Sequence, residues 1–79
     1  MEIPLSRLGI GKIGTIKFVS GGRFFHRRIF ALGIRIGKNV KVISSHPFGG
    51  PIVVEVDNMR IAIGRGMASR IIVKIDLKW

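Results

Sequence analysis

Seventy-nine residues make one domain, 1–79. At that size only about 60–65% of the unfolded chain's surface leaves water on folding, so the core has to be dense. Fourteen Lys and Arg against four Asp and Glu give a formal charge of +10, and hydrophobic residues at 47% argue for a packed core rather than general disorder. The chain has no cysteine, which excludes disulfide staples, thiolate metal sites, cysteine-ligated iron–sulfur clusters and cysteine nucleophiles.

Residues 1–12 combine Pro4, Gly9 and Gly11 with Ile3, Leu5, Leu8 and Ile10. They read as an ordered lead-in whose apolar residues tuck against the body, with no long helix so close to two glycines. No signal peptide is read there, because a basic n-region leading into an uninterrupted apolar run is missing. No segment approaches the roughly 18 apolar residues of a membrane span. Residues 13–19 predict the first strand, with Ile16 and Phe18 on one face and Thr15 and Lys17 on the other. Ser20, Gly21 and Gly22 end it.

Residues 23–32 predict the helix. Phe25, Ile29 and Leu32 form its apolar stripe, while Phe24 and Phe30 fall outside the stripe and either widen the buried face or stay exposed. Arg23, His26 and Arg27 make the polar side, with Arg28 at its edge. Gly33 is the stop, since glycine enters the left-handed region at a C-cap. Residues 34–38 are a linker running into a tight turn at Gly37, Lys38 and Asn39.

The second strand is expected at 40–45, followed by a turn-rich loop at 46–51 with two prolines and two glycines. Residues 52–57 and 59–63 predict a hairpin. Ile52, Val54 and Val56 face inward on one arm and Met59, Ile61 and Ile63 on the other, joined by Asp57-Asn58. Residues 64–70 form a break with one helical turn carrying Met67 and Ala68. Residues 71–77 are the last strand, with Ile71, Val73, Ile75 and Leu77 on one face and Lys74 and Asp76 on the other. The fold class is mainly β: about five short strands curled into a small barrel, one α-helix and a short helical turn. Composition alone does not separate an SH3-like barrel from an oligonucleotide-binding one.

Catalytic signals are weak. His26 and His46 lie twenty residues apart on different elements, and no local pattern pairs either with a nucleophile. GIGKIG precedes the first strand rather than following one, so it is not a dinucleotide fingerprint. The chain is read as a non-enzyme. His26, His46, Glu55 and Asp57 are weak metal-ligand candidates, and a divalent metal is expected, if at all, to bind weakly or between two molecules rather than as a required cofactor. The charge admits nucleic acid, an anionic membrane face or an acidic protein as partner, or a basic surface with no dedicated partner. Arg23, Arg27, Arg28, Arg35 and Lys38 form the candidate basic end. Phe24, Phe25, Phe30, Phe48 and Trp79 are candidate stacking groups.

RRIFALGIRIGKNVKVI, followed by HPFGGPIVVEVDNMRIAIGRGMASRIIV, resembles the FeoA family of ferrous iron transport accessory proteins. The matching residues are Leu32-Gly33, Gly37, Pro47, Gly49-Gly50-Pro51-Ile52, Arg60-Ile61-Ala62-Ile63 and Ala68, with Pro4-Leu5, Gly11 and Gly14-Thr15-Ile16 at the start. Ile36 departs from the proline often found before the turn glycine, and the turn at 64–69 lacks the family's usual charge. The resemblance implies an SH3-like barrel, similar also to the C-terminal domain of iron-dependent repressors. It implies a cytoplasmic protein of iron homeostasis, without membrane insertion, that docks on the cytoplasmic part of the membrane Fe(II) transporter FeoB. The expected contact surface is Arg27, Arg28, Arg35 and Lys38 around the helix end and turn, with Phe48 and Gly49 in the loop. A basic nucleic-acid-binding module, or a transition-metal-responsive regulatory domain, is the alternative.

Overall fold

A computed structural model describes residues 1–46 and 48–75. Six antiparallel strands run β1 Glu2–Pro4, β2 Ile13–Val19, β3 Asn39–Ser45, β4 Ile52–Val56, β5 Met59–Ile63 and β6 Ile71–Lys74. Their order in the sheet is β1-β6-β2-β3-β4-β5. A 3-10 turn at Leu5–Arg7 follows β1, α1 (Arg23–Ala31) joins β2 to β3, and the single-turn α2 (Arg65–Ala68) joins β5 to β6.

The sheet closes into an SH3-like barrel because its inward side chains must share one core. Five hydrogen-bonded spacings would spread a flat six-stranded sheet over about 24 Å. Ile61 and Ile63 of β5 nevertheless belong to the same buried cluster as Ile71 and Val73 of β6, Ile16 of β2 and Leu5. Two register shifts help the sheet bend, between Ile16 and Phe18 in β2 and between Val42 and Ser44 in β3. An extra residue on one strand kinks it and increases its twist.

The first bulge overturns one expectation. Phe18 does not share the inward face of Ile16: it is 57% exposed, and Val19 is buried in its place. The shift at Lys17 reverses the alternation beyond it. Met59 is likewise 64% exposed rather than inward. It directly follows the Asp57-Asn58 turn on an edge strand, where no further strand covers its other side.

The sixth strand, β1, pairs with β6 through Glu2↔Lys74, Ile3↔Val73 and Pro4↔Ile72. Three residues ending in proline carry no strand periodicity, and such a segment is tolerated only at a sheet's margin. The last strand is described as Ile71–Lys74. Asp76, Leu77 and Trp79 lie outside the described residues.

α1 ends as the glycine requires. Gly33 has φ +89, its N–H bonds the carbonyl of Phe30, and the N–H of Ile34 bonds that of Ile29. This paired closure is the Schellman pattern, in which an apolar residue after the glycine packs back on the helix. Ile34 and Ile29 are both buried, whereas Leu32, at the C-cap, is partly exposed. The linker thus supplies the core residue that the helical stripe assigned to Leu32. At the β4–β5 turn, Asp57 and Asn58 have φ 51 and 64, the positive pair that a two-residue hairpin needs.

Candidate docking surfaces

Three shallow grooves meet where α1, the turn after it and the β4–β5 hairpin come together. The first, of about 240 Å³, is walled by Val19, Ile29, Phe30, Ile34 and Ile36, with His26 and Arg35 also lining it. The second runs between the helix end and the hairpin, along Leu32, Gly33, Arg35, Val56, Asp57 and Met59. The third is more polar and is lined by Ile13, Asn39, Lys41, Glu55, Asp57 and Asn58. Arg35 therefore borders two grooves and Asp57 borders two.

The side chains around them are held in place. The Arg35 guanidinium lies over the Phe30 ring, 4.2 Å from its centroid. Lys38 Nζ is 2.9 Å from Asp57 Oδ2, which ties the turn to the hairpin. The turn is fixed further by Gly37, at φ +94, whose N–H bonds the Ile16 carbonyl, and by the N–H of Ile16 on the Lys38 carbonyl. Arg27 and Arg28 are exposed on α1. Of the two placements open to Phe30, buried or exposed, the helix takes the exposed one, with Arg35 on one face of the ring.

Phe48 and Gly49 belong to the other end of the barrel. Lys38 precedes β3 and His46 follows it, and a seven-residue strand holds its ends roughly 20 Å apart. The candidate contact residues therefore divide. Arg27 and Arg28 lie on α1 and Arg35 and Lys38 in the turn after it, whereas Phe48, 97% exposed, sits with Gly49 in the loop beyond β3. That loop is anchored by a residue that sequence reasoning passed over. Arg65 Nη2 donates to Ser45 Oγ at 2.8 Å and to the His46 carbonyl. An arginine between two glycines carries no sequence signal for this role, which depends on α2 lying beside the end of β3. Gly50 packs so closely on His46 that a Cβ there would stand 2.7 Å from the His46 Cβ.

The metal candidates are not assembled. His26 lines the first groove, and His46 lies at the opposite end of β3. Glu55 and Asp57 line the third groove together, but Asp57 pairs with Lys38, and Glu55 faces Lys41 on one neighbouring strand and Arg60 on the other. Among the described residues no group of three or more His, Asp or Glu side chains could hold a metal ion. Among them also, no helix is long and apolar enough to cross a membrane.

The architecture is that of a small SH3-like barrel module whose presented features are grooves and loops. Residues 3–75 match the FeoA domain family, and the chain belongs to it. A Methanocaldococcus jannaschii protein described as an Fe(2+) transport protein A is 34% identical over 71 residues, covering 90% of this chain and 84% of that one. The crystal structure of an iron uptake regulatory protein, FeoA, superposes with a TM-score of 0.88 at 36% identity, covering 94% of this chain and 97% of that one. A manganese-dependent transcriptional repressor shares the fold, with a TM-score of 0.87 at 24% identity over 95% of this chain and 42% of the repressor.

Proposed function

We propose that this protein is a non-enzymatic accessory component of Fe(II) uptake that docks on the cytoplasmic part of a FeoB-type membrane transporter. Membership of the FeoA domain family and the likeness to an Fe(2+) transport protein A support the iron-transport role. The observation that carries docking is the junction of grooves around Arg35. An apolar trough beside a stacked arginine provides an anchor site and a polar rim, the two parts of a protein-binding surface. Lys38 of the turn and the exposed Arg27 and Arg28 of α1 are the further cations assigned to the contact, and Phe48 with Gly49 forms a second, separate contact.

The test is capture of the purified cytoplasmic part of the transporter by the full chain, with Arg35→Glu and Phe48→Ala assayed separately. Arg35→Glu is expected to weaken capture at least tenfold, and Phe48→Ala by less. Undiminished capture by both folded variants would reject these two surfaces. Failure of the unaltered protein to bind at all would reject the transporter reading.

A further inference from the structure

The outward face of α1 is basic, aromatic and free of acid. Successive helical residues turn by about 100°. Phe25 and Ile29 point to the barrel, so Arg23, Arg27 and Ala31 form the centre of the opposite side. Phe24 flanks that line, with Arg28 just beyond it. Phe24 is 80% exposed, and Arg23, Arg27 and Arg28 are all exposed. The helix RFFHRRIFA contains no Asp or Glu to balance its three arginines. None of these four residues lines the three grooves described above. On this face the protruding apolar group belongs to the protein itself, and the partner has to receive it.

We infer that this face seats on an anionic lipid surface, with Phe24 entering the boundary between headgroups and acyl chains while Arg23, Arg27 and Arg28 meet lipid phosphates. A convex face with a projecting ring ringed by cations needs an apolar phase and a layer of anions side by side. The interface of an anionic bilayer supplies both within about 5–10 Å of depth. Each basic side chain near such a leaflet strengthens binding roughly fivefold. Three arginines and one ring hold the protein reversibly rather than permanently. The contact goes beyond transporter docking and does not require it. It would confine the barrel to the bilayer surface, with the grooves around Arg35 still open beside the helix.

The experiment is cosedimentation of the full chain with vesicles of phosphatidylcholine alone and of equimolar phosphatidylcholine and phosphatidylglycerol. Binding is expected to the mixed vesicles only and to fall as salt is raised. Phe24→Ala should weaken it roughly fivefold, the effect of removing a partly buried ring. Arg23→Glu with Arg27→Glu should abolish it, whereas Lys12→Glu with Lys74→Glu, the same charge change off the helix, should retain most of it. Phe24→Trp in a Trp79→Phe background should show blue-shifted emission on the mixed vesicles. Variants are compared after circular dichroism shows them folded. Equal loss from the two charge reversals, an unshifted indole emission from the Phe24→Trp variant, or no preference for the anionic vesicles would overturn the inference. So would tighter binding to a mixed-sequence single-stranded oligonucleotide at equal phosphate concentration, which would assign the face to nucleic acid. Capture of the transporter's cytoplasmic part that depends on Phe24, with no vesicle binding, would assign it to protein.

Discussion

Arg35 covers the ring of Phe30 at 4.2 Å, so the second residue past the Gly33 stop folds back on the helix's last turn. The contact closes one wall of the apolar groove and sets a cation at its mouth. An exposed cation–π pair contributes about 0.5–1 kcal/mol. Arg35→Ala should lower unfolding stability by that amount in urea titrations, and adding Phe30→Ala should remove no second increment for the pair. Full additivity in the double-mutant cycle would show that the two residues are uncoupled.

Gly33 isolates a purely conformational cost. Its φ is +89, yet a Cβ at that position would meet nothing within 4 Å. Gly33→Ala should therefore destabilise by about 1 kcal/mol, and Gly33→Asn by less, because asparagine tolerates positive φ. Equal losses in the two variants would place the cost elsewhere.

Arg65 and Gly50 position the loop that presents Phe48. Arg65→Ala removes the partly buried bond to Ser45 and the bond to the His46 carbonyl, and should cost about 1–2 kcal/mol. Gly50→Ala would press a methyl group against the His46 Cβ, which no side-chain rotation can relieve, and should cost about 1–3 kcal/mol. Hydrogen exchange should rise at the amides of His46 and residues 48–50 in both variants and stay unchanged at the Asp57–Asn58 turn.

Asp57 has two separable duties. Its pairing with Lys38 is solvent-exposed, at 41% side-chain accessibility for Lys38 and 59% for Asp57, and contributes at most about 1 kcal/mol. Its φ of 51 is the other duty. Asp57→Asn keeps the turn and loses the charge, so the loss should be no more than about 1 kcal/mol. Asp57→Ala loses both and should cost about 1 kcal/mol or more. Thermal unfolding in low and high salt distinguishes them, since only the charge-dependent part is screened.

Fe(II) or Mn(II) added at one equivalent should leave the thermal midpoint of the dilute protein unmoved, because the described carboxylates face lysines and arginine and no three ligating side chains come together among the described residues. Metal held between two molecules would instead raise the midpoint more as protein concentration increases. A stoichiometric rise independent of concentration would reveal a monomeric site.

Local chemistry made much of the barrel legible. Alternation marked β4 and the buried half of β5, Gly33 marked the end of α1, and Asp57-Asn58 marked the hairpin turn, because each depends on the conformational preferences of a few adjacent residues. The candidate site was legible by residue type but not by position. Exposed arginines and Phe48 could be named, yet their division between the two ends of β3 could not.

Local preferences along the chain set the strands and helices other than β1 and the 3-10 turn at Leu5–Arg7, together with the turn chemistry and the basic surface. Tertiary structure alone decided that Phe18 points outward, that Ile34 completes the core, that Arg65 holds the loop, and that Arg35 and Phe48 stand apart. A bulge's effect depends on which strands pair, and a side chain's partner depends on where distant elements meet. Those long-range contacts are set by the closure of one shared core, which no short window of sequence contains.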